Sequence, residues 1–301
     1  MRFFHTLIFC YLDVKIFAKE EESENMTIQE VLSEGIKKVE IKKIEDSRTI
    51  IRYLLSHILK KDKSYLVAHA NEEITAEQEK EFFEGIKKLE NNIPLQYIVN
   101  YQEFMKLPFY VDKNVLIPRQ DTEVVVEEAI KLIKKNNYKK VLDLCTGSGA
   151  IAVSIAKYTD AKVVATDVSK EALQIAQKNA IVNGVRDKIK FIESDMFDKV
   201  KDKFDLIVSN PPYIRTAEID NLQAIVKNEP MLALDGDTDG LKFYRIISEN
   251  AHKYLNTGGY LVLEIGFDQK QEVKDLLMKN HKLVECKQDL GQNDRVIISK
   301  K

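Results

Sequence analysis

The spacing of hydrophobic positions changes twice along the chain. In the first part they recur every three or four residues: Ile28, Val31, Leu32, Ile36 and Val39, then Ile50, Ile51, Leu54, Leu55, Ile58 and Leu59. That is the period of one buried helix face. Thr75-Ala-Glu-Gln78 has the form of a capping box and opens a further helix through Leu89. Residues 26–92 therefore predict a small all-helical domain. Ile93-Pro94-Leu-Gln-Tyr97 breaks this pattern, and residues 102–116 read as extended segments with turns near Pro108 and at Asp112-Lys-Asn114. Residues 93–120 are expected to form a hairpin linker.

From Tyr138 onward, short β-branched runs alternate with helical stretches. Strands are expected at 140–145, 162–167, 189–194, 204–210 and 260–264, with helices at 150–158, 170–183 and 241–255. Such alternation predicts an α/β fold, a mostly parallel, Rossmann-like sheet covered on both faces. Two last strands, near 282–288 and 295–299, are joined only by Asp289-Leu-Gly-Gln-Asn-Asp294. That loop is too short for a helical crossover, so the final pair should be antiparallel. The count is seven strands over residues 121–301, with no internal repeat and no low-complexity tract.

Composition narrows the class without naming a chemistry. With 301 residues, 44% hydrophobic and 31% charged, the chain can build one large and one small domain and remain soluble. Its net charge of −2 gives no global signal for nucleic acid. The cluster Lys37, Lys38, Lys42, Lys43, Lys60, Lys61 and Lys63 reads as a solvated helix face. Cys10, Cys145 and Cys286 lie far apart without metal-ligand spacing, so no metal site is expected and a reducing cytoplasm suits the chain. Phe3 to Leu12 is apolar but shorter than the ~20 residues a membrane span needs. No small-residue cleavage site follows it cleanly, so a signal peptide is disfavoured. Residues 1–25 are read as a non-native or disordered extension, with Met26 the candidate true start.

Candidate chemistry gathers at the C-terminal ends of the expected strands, where open α/β sheets bind ligands. Val141-Leu-Asp-Leu-Cys145-Thr146-Gly147-Ser148-Gly149-Ala-Ile151 is a strand, a glycine turn and a helix start. Its glycines let the backbone approach a ligand, and the helix N-terminus offers free N–H groups. Asp167, 20 residues after Gly147, ends the next strand. A carboxylate there can accept both hydroxyls of an adenosine ribose, or it can share the capping of the next helix with Ser169. The glycine turn favours the ribose. Asp195 and Met196 follow the third strand and could flank an adenine ring, although Met196 could equally fill core.

Asn210-Pro211-Pro212-Tyr213 closes the fourth strand. Two prolines supply carbonyl oxygens and no N–H donors, and they stiffen the backbone. An acceptor-rich corner of this kind can grip both hydrogens of an –NH2 group. A planar nitrogen held this way could be a protein amide or the exocyclic amine of adenine.

Together these motifs resemble S-adenosylmethionine-dependent methyltransferases that act on planar amino nitrogens. Pro94-Leu-Gln-Tyr97, Glu103-Phe104, Leu116-Ile-Pro-Arg119, Asp121-Thr-Glu123, Glu229-Pro230 with Leu232-Ala-Leu234, and residues 291–295 are similar, in order, to the peptide chain release factor glutamine methyltransferases. The resemblance implies the cofactor S-adenosyl-L-methionine. It also implies methyl transfer to the glutamine amide nitrogen of the Gly-Gly-Gln motif in class 1 release factors, by a cytoplasmic monomer that needs neither nucleic acid nor membrane. By motif position it assigns Cys145, Thr146, Gly147, Ser148 and Gly149 to the methionine part. Asp167 is assigned to the ribose, Asp195 and Met196 to the adenine, and Asn210 to Tyr213 to the glutamine, with Asn210 counted among the cofactor-binding residues as well. Arg119 and Glu123 fall in a segment near the active site without individual roles. The competing readings are a DNA or RNA adenine-N6 methyltransferase and a ribosomal-protein glutamine methyltransferase. The chain departs from the family pattern at Cys145 (usually glycine), Gln120 (commonly proline), Met196 and Asn228 (often aromatic).

Overall fold

The computed structural model describes residues 25–41 and 46–301. Residues 1–24, Lys42 and Lys43 lie outside that range. The N-terminal part forms helices α1 (Ile28–Ile41), α2 (Ser47–Leu59), α3 (Lys63–Ala68), α4 (Ala76–Glu90) and the single turn α5 (Leu95–Val99). Their apolar faces meet in one cluster containing Val31, Val39, Ile51, Leu55, Phe82 and Ile86. The capping box is formed: Gln78 N donates to Thr75 Oγ1 (3.2 Å), and Thr75 N donates to Gln78 Oε1 (2.9 Å). Lys37, Lys60, Lys61 and Lys63 are exposed, whereas Lys38 is half-buried with its Nζ 4.5 Å from the centre of the Phe83 ring.

Strands β1 (Gln102–Phe104) and β2 (Leu107–Phe109) make the hairpin. Its turn falls just before Pro108, at Met105-Lys106, both in the left-handed region (φ 51° and 58°). Pro108 instead sits inside β2 opposite Glu103, between the pairs Gln102–Phe109 and Phe104–Leu107. Pairs alternate between bonded and non-bonded in an antiparallel ladder, so Pro108 occupies the position that needs no N–H. The second turn falls where expected, with Asn114 N donating to Asp112 Oδ1 (2.9 Å). Phe104, Leu107 and Phe109 pack into the core of the neighbouring sheet.

Helix α6 (Asp121–Asn136) leads into a seven-stranded sheet of β3 (Lys140–Leu144), β4 (Lys162–Asp167), β5 (Ile189–Glu193), β6 (Phe204–Ser209), β7 (Leu255–Glu264), β8 (Leu283–Gln288) and β9 (Asp294–Lys300). The order is β5-β4-β3-β6-β7-β9-β8. β9 is antiparallel to both its neighbours, and the pairs among β3 to β7 are parallel. The connections carry α7 (Ala150–Tyr158), α8 (Lys170–Val182), the short turns α9 (Thr216–Ile219) and α10 (Met231–Leu234), α11 (Lys242–Tyr254) and α12 (Lys270–Leu277). Side chains alternate between faces along each strand. Val141, Leu206, Val208 and Val262 join one core layer with α6 and α7, and Leu142, Leu144, Ile207 and Leu263 join the other with α11 and α12. Crossing from β3 to β6 reverses the winding, so the strand ends at β3, β4 and β6 open a crevice. No described helix is long and apolar enough to cross a membrane.

Candidate active site

The crevice holds a cavity of about 260 Å³ whose wall includes Cys145, Gly147, Asp167, Asp195, Met196, Asn210 and Pro212. Residues from four strand ends therefore converge on it. Thr146, Ser148 and Gly149 stand behind this wall and shape it. Thr146 Oγ1 donates to Asp143 Oδ2 (2.6 Å), Ser148 O accepts from Asn179 Nδ2 (2.9 Å), and Gly149 N donates to Thr146 O (2.8 Å). A Cβ on Gly149 would fall 3.0 Å from that of Ala176, so a side chain there would push α8 away. Gly147 (φ +54°) has nothing within 4 Å of the same position, leaving room beside the cavity.

Asp167 is tied at both oxygens without being consumed by them. Oδ2 accepts from Gly147 N (2.8 Å) and Oδ1 from Ser169 N (2.9 Å). The helix cap is Ser169, whose Oγ accepts from Ala172 N (3.1 Å), so Asp167 keeps free lone pairs on the cavity side. Burial pushes its carboxyl up, against three backbone N–H groups that hold it down. Deeper still, Asp143 is fully buried and its pKa is pushed up to about 7, with Thr146 and the Ala152 N–H opposing. Cys145 takes a left-handed backbone (φ 55°), which explains why glycine suits this place. Its thiol donates to Met196 Sδ (3.7 Å), and burial raises its pKa far out of the range of a nucleophile. Met196 belongs to a core cluster and lines the cavity as well, so its two readings are compatible.

Asn210 lies on the wall shared with a second, smaller cavity of about 90 Å³, bounded also by Leu116, Arg119, Tyr213, Ala233 and Glu264. Its Nδ2 donates to Thr122 Oγ1 (3.2 Å). Among the described residues no donor reaches its Oδ1 or the Pro211 carbonyl. The Tyr213 hydroxyl donates to Glu264 Oε1 (3.3 Å), and its carbonyl accepts from Gln269 Nε2 (3.0 Å). A Cβ on Gly236 would come within 2.8 Å of Tyr213 Cα, so the loop after the tetrapeptide packs directly on its backbone. Burial pushes the Tyr213 phenol well up, so it stays protonated.

Two residues without assigned roles prove to be braces. Arg119 pairs with Glu229, whose other oxygen accepts from Ile117 N (3.0 Å), joining the linker to the loop that follows the tetrapeptide. Glu123 Oε1 accepts from Met105 N (2.6 Å) and so holds the hairpin turn. Val168 and Phe243 line the larger cavity and Glu264 the smaller, while Thr122 accepts from Asn210 Nδ2; the sequence reading gave none of the four a role in the site. Glu264 carried a usable signal: it ends an expected strand, the rule that selected Asp167. Thr122 lay within the Asp121-Thr-Glu123 segment of the resemblance, but without a role of its own.

Residues 127–228 match the family model described as a methyltransferase small domain, and residues 30–99 match the PrmC N-terminal domain. A release factor glutamine methyltransferase from Clostridium acetobutylicum is 42% identical over 262 residues, covering 85% of this chain and 90% of the relative. One from Clostridium botulinum is 38% identical over 283 residues, covering 92% and 100%. Among solved structures, a 16S rRNA N2 G1207 methyltransferase of T. thermophilus, in complex with AdoMet and guanosine, superposes with a TM-score of 0.50 at 18% identity. That match spans 67% of this chain and 49% of the other, and it speaks for the fold alone. With identity near 40% over nearly the whole length of such relatives, the chain belongs to the release factor glutamine methyltransferases, enzymes that methylate a protein glutamine.

Proposed function

We propose that this chain transfers a methyl group from S-adenosyl-L-methionine to N5, the side-chain amide nitrogen, of the glutamine in the Gly-Gly-Gln motif of class 1 peptide chain release factors. It acts as a cytoplasmic monomer, with residues 26–92 recognising the release factor and no nucleic acid taking part. The observation that carries this reading is the position of Asn210 on the wall between two adjoining cavities. The larger suits the cofactor and the smaller suits a glutamine side chain.

The donor set fits the cofactor. The Asp167 carboxylate retains lone pairs for the two ribose hydroxyls, Asp195 and Met196 offer a polar rim and an apolar face to the adenine, and the open side of Gly147 admits the methionine part. When bound, S-adenosylmethionine supplies an electrophilic methyl on a sulfonium sulfur. The chain's own task is to present a poor nucleophile, since an amide lone pair is delocalised into its carbonyl. Asn210 Oδ1 and the Pro211 carbonyl accept the two N–H bonds of the glutamine amide and turn its nitrogen toward the larger cavity. Orientation supplies the main rate term, and these carbonyl dipoles stabilise positive charge that grows on nitrogen. Tyr213 packs against the amide plane and excludes water.

The test incubates the purified chain and labelled S-adenosylmethionine with release factor, with the same factor carrying a substituted Gly-Gly-Gln glutamine, with ribosomal protein and with duplex DNA. Label is expected in the intact release factor alone. Label confined to nucleic acid would overturn the reading.

A further inference from the structure

A primary amide has two ends to recognise, an –NH2 that donates and a carbonyl oxygen that accepts. Asn210 Oδ1 and the Pro211 carbonyl answer the first end only. In a closed cavity the second must also find a donor, because an unpaired buried oxygen costs more than a typical hydrogen bond gains. The wall of the smaller cavity narrows the choice. Two of its side-chain donors are spent elsewhere, Asn210 Nδ2 on Thr122 and the Tyr213 hydroxyl on Glu264. Backbone N–H groups of Ile214, Val226 and Ala233 are spent on Leu234 O (3.0 Å), Gln223 O (2.9 Å) and Pro230 O (2.9 Å). Glu264, when ionised, only accepts.

Arg119 remains, the one cation on this wall among the described residues. A guanidinium carries five N–H donors in a planar fork. One terminal nitrogen pairs with Glu229 Oε1, and among the described residues no other acceptor takes an N–H from it. The pairing also fixes its place. The Glu229 side chain is only 2% exposed, and its second oxygen accepts from Ile117 N (3.0 Å). That anchor leaves the fork little freedom to turn away, while 40% of the Arg119 side chain stays exposed. Its charge reaches the acceptor corner: burial pushes the Tyr213 phenol up, and Arg119 is among the groups that pull it down.

We infer that Arg119 is a specificity-determining residue whose guanidinium donates to the side-chain carbonyl oxygen of the substrate glutamine. The site then reads an amide from both ends, with acceptors for –NH2 and a cation for C=O. A lysine ammonium meets a like charge there, and a glutamate carboxylate meets the acceptor oxygens of Asn210 and Pro211. This inference rests on the reading of Asn210 as the grip for a glutamine amide.

The test uses the full chain at pH 8, where Glu264, with its pKa pushed up to about 7, is mostly ionised and cannot donate. Glu229→Gln is compared with Arg119→Met/Glu229→Gln, since both lack the buried charge that Arg119→Met alone would strand. Release factor methylation gives kcat and KM. Calorimetry at saturating S-adenosylhomocysteine gives the affinity for release factor and for the same factor with its Gly-Gly-Gln glutamine changed to alanine. The double variant is expected to have a kcat/KM about 10- to 100-fold below that of Glu229→Gln, the value of a hydrogen bond to a charged group. Its preference for the glutamine factor over the alanine factor should shrink by a similar ratio. Affinity for S-adenosylhomocysteine should stay within about threefold, which separates the effect from cofactor binding. A purely structural brace predicts equal preference in the two variants, and that result overturns the inference. If the double variant does not fold, Arg119→Lys keeps a cation for Glu229 without the second arm of the fork, and should show the same losses against wild type. Should the wild-type chain leave release factor glutamine unmethylated, the functional reading falls. A glutamine preference that disappears with Arg119 would still uphold its contact with the amide, and a wild-type chain without that preference would overturn it.

Discussion

The two halves of the site are built on different length scales. On the cofactor side, Asp143 meets Thr146 three residues away, Asp167 meets Ser169 two away, and Gly147 meets Asp167 across 20. On the acceptor side the contacts span 51 residues for Tyr213–Glu264, 88 for Thr122–Asn210 and 112 for Ile117–Glu229. The first half is built from consecutive β-α units, its longest contacts being Ser148–Asn179 across 31 residues and Cys145–Met196 across 51. The second exists only when the linker, α6, β6, β7 and the loop after β6 have come together. A binding half can therefore tolerate change elsewhere in the chain, whereas the orienting half depends on the whole assembly.

The largest expected effect comes from cutting the acceptor half at its centre. Asn210→Ala removes one of two carbonyls that orient the nitrogen, and kcat should fall by about 10²- to 10³-fold, the range seen when a single preorganised polar group is lost. Cofactor binding, measured by calorimetry, should change little. Near-normal turnover in this variant would erase the contrast between the halves. The mirror experiment is Asp167→Ala. Loss of hydrogen bonds to a charged acceptor should weaken cofactor binding by about 10- to 100-fold, with kcat at saturating cofactor close to wild type. A variant that lost kcat but kept affinity would assign Asp167 to the wrong half.

The same length scales explain what the chain reveals before it folds. The sheet was legible because each strand is a local run of β-branched residues, and the antiparallel pairing of the last two strands followed from one short loop. Cys145 to Gly149 and Asp167 were legible because strand, turn and carboxylate are close in sequence. The hairpin turn was expected near Pro108 and falls two residues earlier, because a proline in a non-bonded pair position behaves like any strand residue, while Met105 and Lys106 are unusual carriers of a left-handed turn held by Glu123 and by the Tyr158 hydroxyl. Helices α6 and α12 were passed over. The Asp121-Thr-Glu123 segment was legible, but the contact of Thr122 was not, because it is made with an asparagine 88 residues later.

Acidity offers a smaller, complementary test. Burial raises the carboxyls of Glu264 and Asp143 to about 7 in the folded protein, from ordinary values of 4.5 and 3.8. The folded state then binds more protons than the unfolded state between roughly pH 4 and 7, so these two groups make stability fall as pH rises through that window. From pH 8 to 6 each should add about 1 kcal/mol of stability. His281, held neutral with its pKa lowered to about 4 by burial, works in the opposite sense, because the unfolded histidine protonates below its ordinary 6.5. Comparing wild type with Glu264→Gln isolates the Glu264 share: thermal unfolding at pH 8 and 6 should show the variant losing that part of the acid-side gain. An identical pH slope in both proteins would mean that Glu264 titrates normally, and the acceptor half would then contain an ordinary carboxylate.

The smallest effect is expected where the chain departs from its family inside the local half. Cys145 holds a φ of 55°, a strain that glycine would relieve by about 1–2 kcal/mol. Against that stand the greater freedom of glycine in the unfolded chain, about 0.4–1 kcal/mol, and the loss of the sulfur contact with Met196. These terms nearly cancel, so Cys145→Gly should shift denaturant-measured stability by less than about 1 kcal/mol. Removing a side chain from the cavity wall should leave kcat unchanged, because no orienting contact runs through Cys145. A large loss of turnover in Cys145→Gly would show that the thiol and Met196 help hold the acceptor half, and that the division between a local binding half and a long-range orienting half is drawn in the wrong place.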